Sequence, residues 1–239
     1  MLNWNVNCTP GETMTSSRPE LWRRGMLWVT VAFLVGSNPG LANNTDKGWK
    51  AYARGDYATA RANYERNAQA GDTLAQFNLA MMLIRGEGGG EDLSAGVAWL
   101  RKAGDAGMAQ AQYKLGLLYE DGIGIPRSLE AATAWWTKAA AQGQVDAQVQ
   151  LATQYLLGRG APKDIVQAAK WYEAAALNGD AGAQYIIASF YEHGDGVTRD
   201  LKRAHYWYLL AAQQGDVGAA LQAKDIERRL QALPISTTP

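Results

Sequence analysis

The sequence predicts an all-α solenoid of stacked helical hairpins, about four full repeats with a half-repeat at each end, on three observations. Gly71, Gly107, Gly143, Gly179 and Gly215 recur every 36 residues without a gap, and a fixed period of this length marks stacked supersecondary units. Apolar residues return at helical spacing within each interval. Small and large side chains then hold fixed columns, as helices that approach closely require.

Residues 1–42 stand apart from the repeats. Arg18, Arg23 and Arg24 precede the apolar run "MLWVTVAFLVG" at 26–36, followed by "SNPGLA". The run is too short for a membrane span, which needs roughly 20 residues. Together with Gly40 and Ala42 before a cleavage point, it predicts a secretory signal peptide cut after Ala42. The mature chain is then expected in the periplasm, with secretion or tethering by an uncleaved signal as the alternatives, and without a stable membrane span. Cleavage also removes Cys8, the only cysteine, so stability has to come from packing rather than disulfides.

Residues 43–72 follow as an N-terminal helical hairpin with a turn at Gly55-Asp56. Residues 73–215 hold the four repeats. In "AQYKLGLLYEDG", residues 111–122, Ala111, Leu115, Leu118 and Tyr119 share one helical face. The same columns read Ala75, Ala147 and Ala183; Leu79, Leu151 and Ile187; and Leu83, Tyr155 and Tyr191. Each first helix should stop at a G-x-G turn beginning at Gly86, Gly122, Gly158 or Gly194, because glycine accepts the left-handed backbone that ends helices. Asp92, Ser128, Asp164 and Asp200 then stand where a side chain can cap the second helix. That helix carries Gly96, Ala132, Ala168 and Ala204, followed by Trp99, Trp135, Trp171 and Trp207. Residues 216–239 repeat the first-helix pattern with added charge, suiting a cap that faces water, and end in a tail after Pro234.

The stretch "AQYKLGLLYEDGIGIPRSLEAATAWWTKAAAQG" resembles the Sel-like repeat, the 36-residue relative of the tetratricopeptide repeat. The Ala-Gln starts, G-x-G turns, capping residues and closing Ala-Ala-x-x-Gly carry the resemblance. It implies a right-handed superhelix whose first helices line an inner surface, and an adaptor role in protein complexes, often of the bacterial envelope. A cysteine-rich branch of the family is associated with β-lactam binding or hydrolysis. The absence of mature cysteine disfavours that alternative, and cell-wall glycan binding with it.

Lys plus Arg and Asp plus Glu each number 23, so no basic field invites nucleic acid. His193 and His205 lack a third metal ligand at any evident spacing, and "EHGDGVTRD" lacks the alternating acids of a calcium loop. No nucleophile and base pair is recognisable. The expectation is therefore a monomer without catalysis, metal or cofactor that binds another protein or an extended peptide.

The binding surface is expected on the face of each first helix turned from the core columns. Those columns vary where the others hold: Phe77, Asn78 and Met81; Tyr113, Lys114 and Leu117; Gln150; and Tyr185, Ile186 and Ser189. Lys114, Asn78, Gln150 and Met81 are expected to be the more exposed, while the aromatics have a competing role in packing between units. Of the neighbouring Trp135 and Trp136, the regular tryptophan column assigns Trp135 to the core. Trp136 is left as the looser neighbour, with the minor claim to function.

Overall fold

The computed structural model describes residues 47–232. These begin with α1 (47–53) and α2 (Tyr57–Gln69). Four hairpins follow: α3 (Thr73–Arg85) with α4 (Leu93–Asp105), α5 (Ala109–Asp121) with α6 (Leu129–Ala141), α7 (Val145–Leu157) with α8 (Ile165–Leu177), and α9 (Ala181–His193) with α10 (Leu201–Gln213). A last helix, α11 (Val217–Gln231), closes the series. The described residues contain no strand, and consecutive helices pack on one another along the chain. The expected signal peptide at 1–42 and the tail after Pro234 lie outside the described residues.

Local chemistry fixes the hairpins. Asp92 accepts from Ala95 N, Ser128 from Ala131 N, Asp164 from Gln167 N and Asp200 from Arg203 N, so every second helix of the repeats has its side-chain cap. First helices are capped too, by Asp72, Gln144, Asp180 and Asp216. Met108, at the same place before α5, makes no such bond.

The second glycine of each G-x-G turn has two constraints. Gly160 has φ +69°, and a Cβ there would lie 2.3 Å from the carbonyl oxygen of Leu129. Gly196 meets Ile165 in the same way. Each turn is thus pressed against the start of the previous hairpin's second helix, a close approach available to glycine alone.

The core corrects the expected tryptophan assignment. Trp136 is fully buried, at 0% exposure, whereas Trp135 is half-buried. The column Leu100, Trp136, Tyr172 and Tyr208 is the one sealed in the joints, and Trp99, Trp135 and Trp171 lie at its edge, while Trp207, the last of their column, is buried as expected. Each sealed residue faces a small one on its own hairpin's first helix, in the column Ala80, Gly116, Ala152 and Ala188. The largest meets the smallest: a Cβ on Gly116 would stand 2.2 Å from Trp136 Nε1. Polar heads in this column are satisfied. Trp136 Nε1 donates to the Tyr113 carbonyl at 3.3 Å, Tyr172 pairs with Thr153 at 2.9 Å, and Tyr208 donates to Glu192 at 3.2 Å. Trp135 instead lies under the Lys138 ammonium, 4.0 Å from the ring centre.

Candidate functional site

A buried glutamine sets the spacing of the face that the first helices present. Gln112 donates through Nε2 to the Gly104 carbonyl of the preceding hairpin and accepts through Oε1 from Gln142 Nε2 at 2.7 Å. Gln148 does the same with Ala140 and Asn178, and Gln184 with Ala176 and Gln214. The result is a ladder of carboxamides from hairpin to hairpin. Gln76 donates to Ala68, but Ala106 stands where the others have Gln142, Asn178 and Gln214, so Gln76 Oε1 is buried without a partner. The Ala-Gln start was legible as a repeat mark. Its partner thirty residues downstream was not.

The structure divides the expected binding residues into two groups. Phe77 packs against the cluster of Val97 and Leu100, Tyr113 and Leu117 against that of Trp136 and Leu151, and Tyr185 and Ile186 against that of Tyr208 and Ala188. The Tyr185 and Tyr208 rings meet edge to face at 5.2 Å. Burial, reinforced by the charges of Asp146 and Glu120, pushes the Tyr113 hydroxyl up to about 12. These side chains therefore keep only one edge in solvent. Met81, expected among the more exposed, is 8% exposed and belongs to the core, because its helix turns that position towards the neighbouring packing rather than away from it.

Asn78, Lys114, Gln150 and Ser189 are likewise half-buried, without being part of an apolar cluster, and Ile186 shares their register while packing on one side. Burial lowers the Lys114 pKa, as does the nearby Arg85 cation, while Asp146 opposes the shift. Lys114 Nζ also lies 5.5 Å from the Tyr113 ring centre. Asn78, Lys114, Gln150 and Ile186 occupy one structural position in four successive hairpins, yet an amide, an ammonium, an amide and a hydrocarbon fill it. A position that accepts all of these is not specified by the common packing.

An open cleft of about 450 Å³ lies elsewhere, lined by Tyr191, Val197, Thr198, Arg199, Asp200 and Arg203. Its cations already serve the fold: Arg199 donates to the Glu192 carbonyl, and Arg203 to the Tyr191 hydroxyl at 2.8 Å. His193 closes back on the Ser189 carbonyl at 2.9 Å. Among the described residues, no group of three His, Cys, Asp or Glu side chains could hold a metal, and no helix is long and apolar enough to cross a membrane.

Stacked hairpins with recurring joints and a varied face define a helical-repeat scaffold of the kind that mediates protein interactions. The chain belongs to the Sel1 repeat family, whose model matches residues 73–108, 109–144, 145–180 and 181–216. Among solved structures it is similar to a protective antigen of uropathogenic Escherichia coli strains displaying an SLR fold, at 31% identity and TM-score 0.75. That match covers 80% of this chain and spans only 42% of the antigen. A Sel1 repeat protein from Oxalobacter formigenes is 30% identical with TM-score 0.72, over 80% of this chain and 78% of that one. No curated protein matches the chain.

Proposed function

We propose that the protein is a non-catalytic adaptor of the bacterial cell envelope that binds a protein or extended peptide along the face of its first helices. The observation that carries this reading is the register of Asn78, Lys114, Gln150 and Ile186. Four hairpins hold four side chains of different polarity at one half-buried position, whereas the sealed column beneath keeps large, mainly apolar side chains. Half-buried side chains lose less conformational freedom on binding than fully exposed ones. The amides at 78 and 150 also suit the backbone groups of an extended peptide. The envelope location rests on the expected signal peptide at 1–42.

Photo-crosslinking amino acids placed at positions 78 and 150 of the full chain in intact cells test this reading, with position 177 as a control on another exposed surface. The expected result is one defined protein joined at 78 and 150 but not at 177, and lost when Lys114 and Ile186 are both changed to alanine. Equal capture at all three positions, or none at 78 and 150, overturns it. N-terminal sequencing of the fractionated protein checks both cleavage after Ala42 and the compartment.

A further inference from the structure

The first helices of the four repeats are each covered by the second helix of their own hairpin, whereas no second helix follows α11 among the described residues. On α5 the indole of Trp136 covers Gly116 and Tyr113. Their equivalents on α11 are Lys224 and Leu221, which with Val217 and Arg228 form one stripe at spacings of four, three and four. Val217 is 74% exposed and Leu221 is 65% exposed.

Lys224 gives this stripe its character. It stands in the column Ala80, Gly116, Ala152 and Ala188, on which Leu100, Trp136, Tyr172 and Tyr208 are seated. It is exposed and makes no ion pair among the described residues, whereas Arg228 is held by Asp225 at 3.0 Å. Glu227, three residues further on, does not reach it. Another hairpin of this type, from this chain or a second copy, would set a large apolar side chain on the ammonium and desolvate it without compensation. A carboxylate at that point would pair with it instead.

We propose that α11 is a second docking surface, which takes an amphipathic helix of a partner protein with apolar side chains over Val217 and Leu221 and an Asp or Glu over Lys224. Leu221 continues the column of Phe77, Tyr113 and Tyr185 beyond the four repeats, where no second helix packs on it among the described residues, and the peptide titration on α11 can fail while crosslinking at 78 and 150 succeeds, or the reverse.

The probe is a helical peptide patterned on α10 with glutamate at the Tyr208 position, alongside a twin with lysine there, titrated into the full chain by fluorescence anisotropy. The glutamate peptide is expected to bind at least tenfold more tightly. Lys224→Glu should reverse the preference, and Leu221→Asp should weaken both peptides without changing the melting temperature. Amide shifts should concentrate on α11. Equal binding of the two peptides, or a preference unchanged in Lys224→Glu, overturns the proposal. So does a concentration-dependent dimer abolished by Leu221→Asp, which gives the face to a second copy. A glutamate peptide that binds only after deletion of residues 233–239 overturns it as well, by giving the face to the chain's own tail.

Discussion

In the first repeat, 73–108, Ala80 and Leu100 share a cluster, Gln76 Oε1 has no partner, and Asp72 caps the first helix. In the second, 109–144, Gly116 meets Trp136, Gln112 Oε1 accepts from Gln142, and Met108 gives no cap. The two hairpins share one set of columns and place their weak points differently. Repeat 1 has an incomplete ladder under a good cap; repeat 2 has a complete ladder and a tightly fitted tryptophan under a missing cap. Thus a repeat array needs each column filled adequately rather than identically, because each unit contacts only its neighbours and a local shortfall stays local.

Removing the tryptophan should separate the repeats most. Trp136→Ala is expected to cost about 3 to 5 kcal/mol, as truncation of a buried aromatic does. Trp135→Ala should cost clearly less, since its ring is half in solvent under Lys138. Urea unfolding of both variants checks the order, and an equal loss would return the pair to indistinguishable roles.

The glycine opposite comes next. Gly116→Ala forces a methyl into the Trp136 indole and should cost about 1 to 3 kcal/mol, the usual range for overpacking. Combined with Trp136→Leu, the same change recreates the Ala80 and Leu100 pair of repeat 1. It should then be neutral or favourable, because alanine is about 1 kcal/mol better than glycine within a helix. A double-mutant cycle measures the coupling.

Two smaller changes should repair the weak points. Ala106→Gln supplies the missing donor to Gln76 and is expected to raise stability by about 1 kcal/mol, the net worth of a typical hydrogen bond. Gln142→Ala should lower stability by leaving Gln112 Oε1 in the state of Gln76. Met108→Asp should add a cap on α5 worth about 1 kcal/mol, offset in part by the lost packing of Met108 on the Leu115 cluster, with the cap visible as slower amide exchange in that helix's first turn. No gain from Ala106→Gln would show that relaxation around Gln76 already compensates for the orphaned oxygen.

Much of this was legible in the sequence because it is local. The G-x-G turns and the caps at Asp92, Ser128, Asp164 and Asp200 depend on residues within a few positions of one another. The first-helix caps at Asp72, Asp180 and Asp216 are equally local, each directly after a turn glycine, but Met108 and Gln144 at the same place break the pattern in sequence. Gln154, buried at a place where Met82, Leu118 and Phe190 stand in the other repeats, carries an unpartnered Oε1 that no local rule would flag. The candidate face was legible as variable columns. The degree of burial within it was not, as Met81 shows, because it depends on helices contributed by neighbouring repeats.

By itself the sequence determined the period, the turns, most helix ends and the repeat family, since a 36-residue repeat in register leaves few ways to bury its apolar columns. The tertiary structure decided which of two adjacent tryptophans is the core. Helical geometry fixes the roughly 100° between Trp135 and Trp136, but the absolute direction comes from the helix each one packs against. For Trp136 that helix is α5, where Gly116 leaves the space an indole needs.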